Sequence, residues 1–369
     1  MDLEFLRPLY EHVGGYVSVY LDTSPDAEDA TRAVDLRWRS ARERLASAGA
    51  DDATLDALAA VLTGSGRAAA GRAAFGRGGE VLLTEPLPHP PRREIARVAP
   101  LPHVMPLLAQ RGPHAPHLQV MARHDGGEIA SVTGAGAEED EEVTGTGWPV
   151  HRTKGGGWAQ LRYQRSTEEA WETNAKELAG RVTAEARRVG AGLIVAAGDP
   201  VARTLLVRQL GPDLAAITVL IEGEVTVDSE QVTRAAGRAV AERVERHSRE
   251  RFEHWRTQLA HDRGVEGLPA TMVALRDGAV AEMLLADHPT SAATAWIGPG
   301  GTDLAAGAGE LTGRGVQDPV TDRADAALAR GLATTDAPLY FLPADLASST
   351  EAPQDGVGAS LRFPREAVA

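Results

Sequence analysis

The sequence predicts an α/β protein of more than one domain, and three observations carry that prediction. Short apolar runs bounded by Gly, Pro and Asp alternate with longer Ala-, Arg- and Glu-rich stretches at helical spacing. Clusters of Pro and Gly interrupt the chain near residue 113 and again over 264–269. At 369 residues, 24% charged and 43% hydrophobic, the chain is too long for one ordinary core and too apolar to stay disordered. Domains are expected over 1–113, 114–263 and 264–369, each a mixed sheet with packed helices.

The first segment opens with a strand over Tyr16–Leu21, rich in β-branched and aromatic residues, after the Gly14-Gly15 turn. A helix follows over Asp26–Ser47, and a shorter one over Ala53–Leu62 after Asp51-Asp52. Arg72–Phe75 and Glu80–Thr84 flank a glycine turn and read as a hairpin, and the four prolines of Pro86–Pro91 are expected to end regular structure. Beyond the joint, Leu118–Ala122 and Glu128–Thr133 make a second hairpin through Asp125-Gly126-Gly127. Ser166 with Glu169 forms a capping box for a helix to about Val189, with Trp171, Ala175, Leu178 and Val182 on its apolar stripe. A buried strand over Leu193–Ala197, a helix from Asp199-Pro200 to Leu210, a strand over Ala216–Ile221 and a long helix over Ser229–Asp262 continue the alternation. The last segment offers a helix ending at Asp277-Gly278, a strand over Val280–Ala286, a helix over Arg323–Gly331, and strands over Leu339–Leu342 and Gly358–Phe363. Gly298–Asp318, with seven glycines, reads as loop.

Composition removes several function classes. No cysteine means no disulfide, no thiol nucleophile and no Cys-ligated metal, and a reducing cytoplasm is the expected compartment. No apolar run approaches the roughly 20 residues of a membrane helix, and MDLEFLRPLYEH lacks a cationic signal-peptide start, so no membrane partner is expected. The net charge of −14 argues against a dedicated nucleic-acid binder and against DNA as a partner, so any polyanion contact must be local. Lys154 and Lys176 are the only lysines, a bias we assign to base composition rather than function. Neither a Walker A motif nor a Gly-x-Ser-x-Gly elbow is present, and no cofactor is expected. His247, His254 and His261 recur every seven residues, which separates neighbours by about 10 Å and prevents them sharing one ion. The group His114, His117 and His124 lies about a Pro-rich joint, and no metal site is expected there either.

One segment has the composition of a polyanion-binding loop. After the acidic run Glu138–Glu142, residues 148–165 contain no acid, while Arg152, Lys154, Arg162 and Arg165 supply positive charge and His151 can add to it. Gly155, Gly156 and Gly157 leave the backbone free to approach a phosphate chain, and the Trp158 indole suits stacking on a base. The competing reading is a surface hairpin whose glycines reflect composition and whose indole folds back on its own domain.

The order of hairpin, acidic stretch, basic glycine loop and helix, HRTKGGGWAQLRYQRSTEEAWETNAKELAGRV over 151–182, resembles the central domain of archaeo-eukaryotic peptide-chain release factors and Pelota. GGYVSVYLDTS at 14–24 and GRAAFGRGGEVLLTEPL at 71–87 resemble their first domain, and LRDGAVAEMLLAD at 275–287 resembles their third. The nearest group is the bacterial release-factor-like family of actinobacterial type, related to Vms1 and similar to the hibernation factor Balon. The resemblance implies a three-domain release-factor/Pelota-like α/β architecture and a translation factor occupying the ribosomal A site, in hibernation or rescue. It implies rRNA as partner, with peptidyl-tRNA and elongation factor Tu as further candidates.

Two departures bear on activity. Aligning Gly156-Gly157 with the family's paired glycines puts Trp158 where the catalytic glutamine belongs and leaves Gln160 two residues late. Positioning water on the ester is a geometric task, so that displacement is expected to abolish release. No Asn-Ile-Lys-Ser stands between Asp26 and Leu62, so stop-codon decoding is not expected. A peptidyl-tRNA hydrolase using Gln160 remains the enzymatic alternative, and a stress or protein-interaction adaptor the other.

Overall fold

Strand β1 (Tyr16–Asp22) is buried from Tyr16 through Leu21, the pattern of a strand covered on both faces. The structure is a computed structural model and describes residues 1–11, 14–24, 30–64, 69–111, 116–132, 138–145, 158–221, 230–287 and 292–364, with the backbone alone at 30, 138, 139, 158–167, 230–233 and 236. The first segment continues with α1 (Ala30–Ser47), α2 (Asp52–Leu62), β2 (Gly71–Arg77), β3 (Glu80–Leu87), β4 (Ile95–Ala99) and α3 (Met105–Arg111). Its antiparallel sheet has the order β3-β2-β1-β4. Asp51 caps α2 by accepting from the Thr54 amide and hydroxyl at 2.8 and 2.7 Å, and the Thr54 hydroxyl accepts from the Gly79 amide in the hairpin turn. Pro86 lies inside β3 rather than ending it, because β3 is an edge strand and can spare a donor.

Alternation along β1 feeds two cores. Val17, Val19 and Leu21 pack with Trp38, Leu45, Leu55 and Leu58 of the helices, while Tyr20 joins Leu275, Met283, Leu328 and Leu332 from the far end of the chain. Residues Met1–Gly112 and Glu245–Ala369 accordingly form one compact unit, and Pro113–Val244 forms another. The packing units are therefore two.

The smaller unit contains β5 (His117–Arg123), β6 (Gly126–Val132), β7 (Glu138–Thr144), α4 (Trp158–Val189), β8 (Leu193–Gly198), α5 (Pro200–Gln209), α6 (Pro212–Ala216) and β9 (Thr218–Leu220). The strand order is β7-β6-β5-β8-β9, with β8 parallel to both β5 and β9. Leu178 and Val182 of α4 and Leu206 of α5 cover Leu118, Val120, Ile194 and Ala196. On the other face Leu193 and Val195 meet Val240 of α7 (Glu230–Ala260). The start expected at Ser166 is corrected: α4 begins at Trp158, directly after the last glycine, since Ala, Gln, Leu and Arg sustain a helix and Ser166 falls inside it.

After α7 the larger unit resumes with β10 (Gly264–Glu266), α8 (Leu268–Arg276), β11 (Val280–Leu285), β12 (Thr294–Ile297), β13 (Leu304–Ala305), α9 (Ala308–Thr312), β14 (Val320–Arg323), α10 (Ala324–Thr335), β15 (Leu339–Phe341), α11 (Ala344–Ala347) and β16 (Val357–Leu361). These strands make two sheets, β10-β16-β11-β15 and β13-β12-β14. The segment read as loop over Gly298–Asp318 thus holds a strand and a helix. Its glycine-rich backbone is organised from outside: the fully buried Arg330 of α10 donates to the Gly298 and Asp303 carbonyls at 3.0 and 2.8 Å. The fold is α/β with several sheets and packed helices, as the sequence predicts, but the expectation of a mixed sheet in every domain is corrected: among the described residues β7-β6-β5-β8-β9 and β10-β16-β11-β15 are mixed, while β3-β2-β1-β4 and β13-β12-β14 are antiparallel throughout.

Two buried polar groups yield measurable consequences. The Asp322 carboxylate on β14 is 1% exposed, pairs with Arg97 of β4, and accepts from the Leu101 and Arg323 amides, each at 2.7 Å. Asp322→Ala strands both the guanidinium and an amide, and is expected to cost about 3 kcal/mol, read as a lower Tm. An unchanged melt would contradict the assignment. Burial pushes the His103 imidazole down from its ordinary 6.5 to about 4. A lowered folded-state value means that the unfolded chain binds the extra proton, so this contribution is complete above pH 6.5 and is lost as pH falls towards 4, at about 1.4 kcal/mol per pH unit. Urea melts across that window should show a shallower pH slope for His103→Gln; identical slopes would refute the point.

Candidate functional site

The basic segment of the sequence divides across the start of α4. Trp158, Gln160, Arg162 and Arg165 fall on the first turns of that helix, while His151, Arg152, Lys154, Gly155, Gly156 and Gly157 lie outside the described residues. Gln160 is the third helical residue, about 3 Å along the axis from Trp158. Its backbone therefore belongs to a regular helical turn.

Both chain ends that bound this segment return to the turn between β5 and β6. At the end of β7 the Gly145 amide donates to the Asp125 carbonyl at 2.8 Å. From α4, the Trp171 indole stacks on the His124 imidazole with ring centroids 3.8 Å apart and planes inclined at 21°. Asn174 adds an Nδ2 hydrogen bond to the His124 carbonyl at 2.8 Å. The His124 Nε2 lies 3.3 Å from Oδ1 of Asp199. That oxygen also accepts from the Val201 and Ala202 amides at 2.8 and 2.9 Å, as the N-cap of α5. Gly198 makes this approach feasible: its φ is +100°, and a Cβ there would stand 2.3 Å from the Ala122 carbonyl oxygen on the paired strand.

The acidic run forms β7, at the sheet edge, and neighbouring arginines answer it. Arg123 of β5 reaches Glu142 at 3.2 Å, pairs with Glu128 of β6 and lies 3.6 Å from Asp125, while Arg181 of α4 pairs with Glu141. Further along α4, the hydrogen bond from Arg188 holds the Glu185 carboxyl down at about 2, well below the usual carboxylate range. Glu141 and Glu142 of this edge are thus paired inside their own unit.

Other sequence candidates are kept apart by the fold. His247 lies 3.7 Å from Glu250, His254 3.8 Å from Glu282, and His261 Nδ1 2.7 Å from the Thr257 carbonyl oxygen. Among the described residues no three His, Asp or Glu side chains gather as metal ligands, and no helix is long and apolar enough to cross a membrane. His114 lies outside the described residues, and His117 sits on β5 beside Gln119. Sequence reasoning missed the joining of His124, Trp171 and Asp199, although the Asp-Pro helix start and the Trp171 stripe were visible separately.

Residues 116–261 match the model of bacterial archaeo-eukaryotic release factor family 2. Two Mycobacterium tuberculosis proteins, Rv2629 and MT2704, both uncharacterized, are each 28% identical over 372 residues, covering 98% of this chain and 97% of their own. Among solved structures, an archaeal translation termination factor is 16% identical with a TM-score of 0.24, covering 97% of this chain and 96% of that one. Archaeoglobus fulgidus Pelota is 14% identical with a TM-score of 0.34, covering 99% and 92%. A ribosome-bound archaeal Pelota is 11% identical with a TM-score of 0.42, covering 99% and 95%.

Proposed function

We propose, from the premise that this chain is a member of a release-factor-like family, its residues 116–261 carrying the match, that it is a ribosome-binding translation factor. It enters the A site and directs the segment Arg152–Arg165 towards the peptidyl-transferase centre, in hibernation or rescue rather than stop-codon decoding. The observation that carries this reading is the coincidence of that family match with an acid-free basic segment leading into a long helix. Arg152, Lys154, Arg162 and Arg165 would contact rRNA phosphates, and Trp158 would stack on a base or lie against the rRNA surface. The ribosome as partner places the protein in the cytoplasm. Delivery by elongation factor Tu and contact with peptidyl-tRNA belong to the same proposal.

The enzymatic alternative asks Gln160 to position water on the peptidyl-tRNA ester. The helical backbone at 158–160 weighs against it, because it fixes Gln160 two helical positions beyond the aligned place and leaves Trp158 there. A protein-interaction adaptor is favoured by the net charge of −14, yet gives the local basic segment no task.

Association with 70S ribosomes should be salt-sensitive, with a log–log slope of about −3 to −4 for about four phosphate contacts. Changing Arg152, Lys154, Arg162 and Arg165 together to Glu should abolish cosedimentation, with the thermal melt recorded beside it to separate lost binding from lost folding. Cosedimentation that ignores salt, or none at all, would refute the reading. The same ribosomes loaded with peptidyl-tRNA should release no peptide, and Trp158→Gln should gain some release. Release by the native chain that Gln160→Ala abolishes would transfer the assignment to the hydrolase.

A further inference from the structure

We propose that His124 is a positioning residue that sets the direction of α4, and so aims the basic segment joined to its start. The functional consequence rests on the ribosome-binding reading; the positioning itself does not. From Glu168 to Thr173 the helix is exposed or half-buried, and the first buried residues among its described side chains are Asn174 and Ala175. Trp171 and Asn174 are therefore the first places, among the described side chains, where the helix grips the sheet. Both grips fall on one residue: the indole stacks on the His124 ring and the amide binds the His124 carbonyl.

Trp171 stands thirteen residues into the helix from Trp158, about 20 Å along its axis. Over that length, a tilt of about 10° at Trp171 moves the helix start by about 3 Å. Displacements of that size at a reacting or recognition centre have large effects on function. The grip is itself fixed from behind, since Asp199 holds the imidazole while two backbone amides of α5 hold Asp199. The other end of the segment closes on the same place: Gly145 binds the Asp125 carbonyl, and a Cβ at position 145 would stand 2.2 Å from Asn174 Oδ1. One turn thus holds the chain where it leaves β7 and where it returns along α4.

The chain has no cysteine, so Gln164→Cys with Asp213→Cys places a spin-label pair on α4 and on α6 of the same unit. Pulsed electron resonance should give a narrow distance distribution for the otherwise native protein. His124→Ala should broaden it or shift its mean by about 3 Å and weaken 70S association about tenfold, or 1.4 kcal/mol. His124→Phe, which retains a ring for the stack, should recover most of both. Trp171→Leu approaches the same contact from the helix should His124→Ala lower the circular-dichroism signal. An unchanged distribution in a folded His124→Ala or Trp171→Leu protein overturns the inference. A broadened distribution in a protein whose native form ignores ribosomes would uphold the positioning role and remove the proposed function instead.

Discussion

The double covering of β1 is the constraint on which the larger unit depends. A strand with both faces apolar must be roofed twice, and the chain supplies one roof from α1 and α2 and the other from residues beyond 264. That requirement draws the two ends of the sequence together, and the polar links follow from it. Tyr20, pointing into the second core, donates its hydroxyl to the His103 carbonyl at 2.7 Å. Asp322, buried at the same junction, joins β4 to β14 through Arg97 and the Leu101 amide. The first and last segments are consequently one packing unit although each keeps its own sheets.

Periodicity in the sequence made visible whatever is decided locally. β1, the hairpin of β2 and β3, the hairpin of β5 and β6, and the succession of α4, β8 and α5 were legible because each has its own apolar pattern or turn chemistry. What remained hidden depends on distant partners. β7 reads only as an acidic run in the sequence, and becomes a strand through its ladder with β6 and the arginines at 123 and 181. The stretch 298–303 reads as loop until Arg330, buried in α10, donates to the Gly298 and Asp303 carbonyls at its two ends. The burial of α10 from Ala326 through Ala333 explains its alanines as packing.

The candidate site divides along the same line. The basic residues and glycines of 151–165 were legible as a chemical type, and the start of α4 was not, because Ser166 and Glu169 imitate a cap within a sequence that is helical on both sides of it. The stack of Trp171 on His124 has no sequence signature, since it joins a turn to a helix across the length of a strand pair and a loop. In physical terms the smaller unit carries an acidic edge strand of which Glu141 and Glu142 are paired with arginines of the same unit.

The central claim is a location, and imaging tests it most directly. Cryo-EM of 70S ribosomes incubated with the purified protein should show it in the A site, with the first turns of α4 nearest the peptidyl-transferase centre and the residues before Trp158 against rRNA. Ribosomes with an empty A site under saturating protein, or density on the ribosome with α4 turned away from that centre, would contradict the account.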